Sequence, residues 1–309
     1  MLTILKKTPE GLRTFERLVD DAWVNVIDPT PEEIARLEEW QIPSEMITYP
    51  LDQDEMARTE RDNGFTLILF RVPHFQGTGE DIPFTTVPLG IILAEKFIVT
   101  ICKIAHPLIQ ELLEGRVKSL TPAKRNRFIL HFFWSTANRY LNHLRGINKT
   151  VEALEDQLQL STRNKEVLEL LKYQKSLTYF TTALRSNELM MERLQRSQMF
   201  NQFEEDQDLL EDVLTENQQA IEMTNIASNI LSQMMDAFAS IISNNLNTVM
   251  KILAVITIIM SLPTIVASFF GMNVALPWDE HGMAFIFIIA VSVGLIALAA
   301  IIFYKLDWF

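Results

Sequence analysis

The chain has 309 residues, and 27 Lys and Arg against 39 Asp and Glu leave a net charge of −12. With 48% hydrophobic and 21% charged residues it is no disordered chain, and its acidic balance excludes a nucleic-acid binder, which needs a basic footprint. Its single cysteine, Cys102, excludes an internal disulfide framework and a cysteine-based zinc cage.

Residues 1–118 read as a mixed α/β domain. Trp23-Val24-Asn25-Val26-Ile27 reads as a strand ended by Asp28-Pro29. Thr30-Pro31-Glu32-Glu33 starts a short helix, with Thr30 as N-cap and Pro31 at the first helical position. Phe65 to Phe70 reads as a second strand, and Val87 to Ile101 as a hairpin turning at Glu95-Lys96. Gly77-Thr78-Gly79 is a turn and not a phosphate loop, and no Walker A sequence occurs.

After Pro122 the chain changes character. No proline follows until Pro263, and Gly146 is the one glycine between them. Without breakers, and with many Glu, Gln, Leu, Lys and Arg, this stretch predicts long helices. Thr121-Pro122 is a helix start, and Ser161 to Asn164 and Ser197 to Phe203 are reversals. The result is a stalk over 119–250 in which a last helix runs from near Phe203 into the following span. At 1.5 Å per residue that helix is about 100 Å long.

Two charge-free runs follow, 19 residues from Ile252 to Phe270 and 22 from Met283 to Tyr304. Each is long enough to cross a bilayer's hydrocarbon core; the bland alternative is a pair of buried core helices. The chain is therefore expected to be an α+β membrane protein with a transmembrane hairpin over 251–309. The opening MLTILKKTPEGLRTFERL has no long apolar region of a secretory signal. Lys251 and Lys305 flank the spans, while Gly271 to Gly282 holds Asp279 and Glu280 and no Lys or Arg. Both termini are thus expected in the cytoplasm of a plasma-membrane protein, with the short loop outside.

The first span carries a polar stripe at steps of three and four: Asp236, Ser240, Ser243, Asn247, Met250, Ala254, Thr257, Ser261, Thr264 and Ser268. All four hydroxyl residues between Ile252 and Ser268 fall on it. Small and hydroxyl residues serve as helix–helix glue in lipid; the functional alternative is a pore lining. Two spans cannot enclose a water-filled path, so a pore needs several copies of the chain. Pro263 lies inside the span and leaves the Ile259 carbonyl without its helical donor.

The first span ends in Ser268-Phe269-Phe270-Gly271-Met272-Asn273. Gly271 is expected to let the backbone leave the helix, and Asn273 to offer an amide oxygen at the outer mouth. A Gly-Met-Asn after the first of two C-terminal spans, on a very long helix in an acidic chain, resembles the CorA family of divalent-cation transporters. The resemblance covers the whole organisation and is strongest from Asn247 to Asn273, where Asn-Thr-Val-Met-Lys-Ile-Leu is similar to the family's pore entrance.

This resemblance implies a funnel-shaped homopentamer in the lipid bilayer, with the first span lining the pore. It implies an outer selectivity ring of Gly271, Met272 and Asn273 and pore-facing Asn247, Met250, Leu253, Ser261 and Thr264. It also places Asp236 in an acidic vestibule. Leu253 lies one step off the stripe, which runs through Ala254; Thr257 and Ser268 come from the stripe itself. The implied cargo is Mg²⁺, with Co²⁺ possible, driven by the membrane potential. Mg²⁺ gives up its water reluctantly, and neutral oxygens bind a hydrated ion without stripping it.

Six carboxylates lie between Glu204 and Asp212, and Asp52, Asp54, Glu55 and Glu60 form a second group. Either group is most simply a solvated acidic face. The resemblance implies that Asp212 holds regulatory Mg²⁺ across a subunit interface, with Asp52 or Asp54 as partners. Bound ion would hold the pore closed.

The chain departs from the family in ending Tyr304-Lys305-Leu306-Asp307-Trp308-Phe309, without a lysine run. Its outer loop reads Leu276-Pro277-Trp278-Asp279-Glu280-His281 in place of Met-Pro-Glu-Leu. These differences, and His281, keep Zn²⁺ transport of the related ZntB type open, as well as a non-conducting helical scaffold. His74, His106, His131 and His143 show no ligand spacing and are assigned no metal. No nucleophile–base pair is seen, so no enzyme is expected.

Overall fold

The protein is described by a computed structural model covering residues 1–113, 122–160, 164–197, 199–200, 203–272, 283–306 and 308. Thr121, the expected reversal residues Ser161 to Arg163, Asn273 and the outer loop with Asp279, Glu280 and His281 lie outside the described residues. The chain forms two compact units, Met1–Met235 and Asp236–Phe309.

The first unit is built on a seven-stranded sheet in the order β2-β1-β3-β7-β6-β5-β4. The strands are β1 (Leu2–Thr8), β2 (Gly11–Phe15), β3 (Ala22–Ile27), β4 (Arg58–Asp62), β5 (Phe65–Phe75), β6 (Phe84–Leu93) and β7 (Phe97–Cys102). Neighbours are antiparallel except β3 and β7, which run parallel with Trp23 opposite Ile98 and Val26 opposite Ile101. Those two strands are buried almost throughout because both their faces are covered, and each carries one polar residue, Asn25 and Thr100.

One face carries α1 (Pro31–Glu39) and α2 (Ser44–Thr48). Here Leu37, Ile42, Met46 and Ile47 pack on Ile4, Val24, Leu67, Ile92 and Val99. The Thr30 cap forms as expected: Thr30 Oγ1 accepts from the Glu33 N–H at 3.3 Å, and Glu33 Oε2 accepts from the Thr30 N–H at 3.0 Å. After α2 a 3₁₀ turn, Tyr49–Leu51, presses on the sheet. A Cβ on Gly90 would sit 2.3 Å from Pro50 Cγ, so only glycine fits under that turn.

The other face carries α3 (Pro107–Leu113), α4 (Arg125–Leu160), α5 (Asn164–Arg196) and the first turns of α6 (Glu204–Phe270). Alternation along β3 sends Trp23 to this side, edge-on to Phe128 of α4 at 5.3 Å between ring centroids. Its indole Nε1–H donates to Thr100 Oγ1 at 2.8 Å, and that hydroxyl donates to Asn25 Oδ1 at 3.0 Å. Polar groups of α5 also bond the sheet, Ser186 Oγ accepting from the Ala57 N–H at 3.0 Å and Ser176 Oγ from the Phe84 N–H at 3.2 Å. Cys102 closes β7 fully buried, with burial pushing its thiol pKa up to about 11.

At the start of α6, Arg127 of α4 donates from Nε to the buried Asp206 carboxylate at 3.0 Å and from Nη2 to Glu205. The helix then runs unbroken for 67 residues, through Pro263. The second unit consists of its last part together with α7 (Ala284–Lys305).

A polar stripe on α6 and an acidic loop beside β5

Both apolar runs are helices long and apolar enough to cross a membrane. Their most hydropathic windows are 11% and 0% buried, which separates them from the core helices of a globular domain. α6 and α7 shelter one face each. On α6 this is Val255 and Val266, buried, with Ile259, Leu262 and Phe270 half-buried. On α7 it is the half-buried row Ile288, Val291, Leu295, Ala299 and Phe303. The rings of Phe270 and Phe287 meet at 6.4 Å.

At 100° per residue, the stripe positions of the span lie on average about 150° around α6 from Val255 and Val266. Asp236, Asn247, Met250, Thr257, Thr264 and Ser268 are exposed, and Ser261 is half-buried. At the level where stripe and resemblance part, Leu253 is exposed and Ala254 half-buried, so the open face passes through Leu253.

Four of the hydroxyls on this face bond back to a carbonyl of their own helix. Thr257 Oγ1 donates to the Leu253 carbonyl at 2.7 Å, Ser261 Oγ to Ile258 at 2.8 Å and Thr264 Oγ1 to Met260 at 3.2 Å. Ser240 Oγ donates to Asp236 at 3.0 Å in the same way. Each hydroxyl has one proton to give and two lone pairs. With the proton committed to the backbone, it offers acceptors outward.

Gly271 does not take the left-handed conformation expected of a helix-ending glycine; among the described glycines positive φ occurs at Gly11, Gly64 and Gly77. Its N–H still donates to the Ala267 carbonyl at 2.9 Å. A Cβ there would stand 3.2 Å from that same carbonyl, a tight contact that a small shift of the helix end would relieve. Met272 is exposed, and Asn273 falls outside the described residues.

The acidic candidates are dispersed within one chain. Asp212 on α6 and Asp52 and Asp54 before β4 are exposed and enter no ion pair among the described residues. Among those residues no three His, Cys, Asp or Glu side chains gather as a metal site. Other carboxylates are engaged: Arg127 holds the Glu205 carboxyl below its usual range through a hydrogen bond and its charge. The Asp52–Glu55 loop wraps a residue the sequence had not singled out, Arg71 of β5. Its guanidinium donates from Nη1 to the Gln53 carbonyl at 3.0 Å and the Glu55 carbonyl at 2.5 Å. An arginine within Phe65-Thr-Leu-Ile-Leu-Phe-Arg-Val, an otherwise apolar strand, is the signal that would have found it.

His74, His106 and His143 do converge, with the His74 and His106 rings 6.3 Å apart. His106 is saturated, its Nε2 on the Pro73 carbonyl at 2.9 Å and its Nδ1 accepting from the Leu108 N–H at 3.2 Å. It is a buried structural histidine rather than a ligand.

Comparison with known proteins adds identity to this geometry. The cobalt/magnesium transport protein CorA of Methanocaldococcus jannaschii is 29% identical over 298 residues, 93% of this chain and 90% of that protein. The complete structure of the CorA magnesium transporter from the same organism matches with a TM-score of 0.86 at 25% identity, over 100% of this chain and 99% of that one. The ZntB cytoplasmic domain from Vibrio parahaemolyticus matches with a TM-score of 0.60 over 79% of this chain and 97% of that domain; at 12% identity it shares the fold alone. The family model described as CorA-like Mg²⁺ transporter protein matches residues 21–305. The soluble α/β unit, the long α6 and the two apolar C-terminal helices are thus those of a CorA protein, and the chain belongs to the CorA-like Mg²⁺ transporter family.

Proposed function

We propose that the chain carries divalent cations across a membrane, Mg²⁺ first and Co²⁺ second. Members of its family are transporters and not enzymes. The reading rests on one observation above all: the hydroxyls of Thr257, Ser261 and Thr264 spend their protons on backbone carbonyls. Water bound to Mg²⁺ presents hydrogens outward, and a wall of acceptors receives them without stripping the ion. A carboxylate ring at this depth would hold a divalent ion more tightly and slow its release; the span from Ile252 to Phe270 has none.

One chain contributes one wall. Five copies around an axis, each turning the face of Asn247, Met250, Leu253, Thr257, Ser261, Thr264 and Ser268 inward, would enclose the path. α7 would stand behind, against lipid. Asp236 would concentrate cations at the cytoplasmic mouth, and Gly271, Met272 and Asn273 would form the outer ring. With both termini in the cytoplasm, entry follows the membrane potential, about 2.3 kcal/mol per charge per 100 mV and twice that for a divalent ion. Domains over 1–118, 119–250 and 251–309 divide the labour into sensing, stalk and pore.

Regulation uses the oxygens of Asp212 and those of Asp52 and Asp54 on a neighbouring copy. Exposed carboxylates outside any ion pair suit a hard cation. Bound Mg²⁺ would offset their repulsion and shift the population toward the closed state.

The test is ion entry into proteoliposomes bearing wild type or Asn273→Ala, with Mg²⁺, Co²⁺ and Zn²⁺ offered separately. Potential-driven Mg²⁺ entry that the substitution abolishes is the expected result. Zn²⁺ entry preferring a proton gradient would move the protein to the ZntB mode. No flux from folded oligomers would leave a scaffold.

A further inference from the structure

Arg71 is a cation in an unusual setting. It lies on β5, is 7% exposed, and enters no ion pair among the described residues. Removing a charge from water without an opposite charge is costly, and the cost is met only by dense hydrogen bonding. The partners are all neutral oxygens. Nε donates to Thr86 Oγ1 at 2.9 Å and Nη2 to the Thr86 carbonyl at 2.8 Å, while Nη1 spans the Gln53 and Glu55 carbonyls. Burial draws the guanidinium pKa down, and the charges of Asp54 and Asp52 are among the influences pushing it back up.

Two consequences follow for the loop above it. Its backbone is anchored at Gln53 and Glu55, on either side of Asp54. Its carboxylates at Asp52 and Asp54 are not consumed by the cation beneath them and remain exposed, although Asp52 Oδ1 accepts from the Asp54 N–H at 3.0 Å. A small cavity of about 210 Å³, lined by Asp54, Arg71, Thr86 and Tyr179 among others, separates the loop from α5. That space would let an unanchored loop collapse inward.

We propose that Arg71 is a positioning residue for the regulatory cation: it pins the Gln53–Glu55 backbone so that the Asp52 and Asp54 carboxylates stay at the surface, within reach of a divalent ion. This rests on the assignment of Asp52 and Asp54 to regulation made above. The planar fork matters as much as the charge, since an ammonium cannot span the Gln53, Glu55 and Thr86 oxygens at once.

The experiment uses full-length oligomers in proteoliposomes and reads two quantities: maximal Mg²⁺ flux at low cytoplasmic-side Mg²⁺, and the cytoplasmic-side Mg²⁺ concentration that halves it. Arg71→Lys keeps the charge and loses the fork. It is expected to raise the half-inhibitory concentration about three- to tenfold, equivalent to roughly 0.7–1.4 kcal/mol, with maximal flux unchanged. The double variant Asp52→Asn with Asp54→Asn should raise it at least as far. A shift in the aspartate variant with none in Arg71→Lys would overturn the role of Arg71 alone. No shift in the aspartate variant would overturn the assignment beneath it. A parallel fall in maximal flux would show Arg71 to be structural only. Should Arg71→Lys fail to assemble, Thr86→Val, which removes one acceptor from the fork, decides by the same two readings.

Discussion

Asn187 of α5 clasps both backbone polar groups of Arg71: its Oδ1 accepts from the Arg71 N–H at 2.8 Å, and its Nδ2 donates to the Arg71 carbonyl at 2.8 Å. The side chain thereby behaves as a strand neighbour, and Tyr140 adds its hydroxyl to the same carbonyl at 3.1 Å. Asn187→Leu keeps the volume and strands the buried Arg71 N–H, while the Arg71 carbonyl keeps Tyr140. We expect a loss of about 1–3 kcal/mol, read as a lower thermal midpoint of the soluble unit. A midpoint equal to wild type would show that water or a neighbour replaces the clasp.

Gly90→Ala tests the seat of the 3₁₀ turn. Its new methyl would meet Pro50 Cγ at 2.3 Å and Pro50 Cβ at 3.0 Å. Overpacking of this kind costs about 1–3 kcal/mol. Because Leu51 leads directly into Asp52, the displaced turn is also expected to weaken Mg²⁺ inhibition of transport. Unchanged melting together with unchanged inhibition would mean that the turn shifts freely.

Acid should weaken the soluble unit through two histidines. Burial is the main cause that lowers His106 and His143 from 6.5 to about 4. In the unfolded chain both titrate near 6.5. Between these values the unfolded state binds the protons and the folded state does not, so stability falls as pH drops from about 6.5 to 4 and these groups cost nothing further below that. His106 alone accounts for up to about 3 kcal/mol. Denaturation curves from pH 7.5 to 4 should show the decline, and His143→Gln should make it shallower. A flat profile across that window would contradict the assignment.

The acceptor wall predicts a sharp distinction among isosteres. Thr257→Val keeps the shape and removes the outward lone pairs, and should lower Mg²⁺ flux about three- to tenfold. Thr257→Ser should restore most of it, since a serine hydroxyl can also donate back to Leu253. Equal flux in all three would place Thr257 off the ion path.

What could be read from residues follows the strength of their local physics. The Thr30 cap, the β3 core and the β6–β7 hairpin announce themselves through capping chemistry and apolar runs. The two spans and the unbroken α6 follow from uninterrupted composition. β4, Arg58-Thr-Glu-Arg-Asp, does not: it is a charged edge strand, held by pairing with β5 rather than by burial. Its turn, not singled out from the sequence, places Asn63 and Gly64 at positive φ in the manner of an Asn-Gly hairpin. β1, β2, α2 and α3 are short and owe their form to tertiary contact. Arg71 escaped notice because its partners, the Gln53 and Glu55 carbonyls and the Thr86 oxygens on β6, are brought to it by the fold, which no spacing encodes.

The burial of Cys102 has a practical consequence. With the thiol inside β7 and its pKa near 11, about one thousandth is thiolate at pH 8, even before access is considered. The native chain is therefore silent toward maleimides and methanethiosulfonates. A cysteine placed at each successive position of α6 would report water contact against that silent background, tracing the wetted face residue by residue.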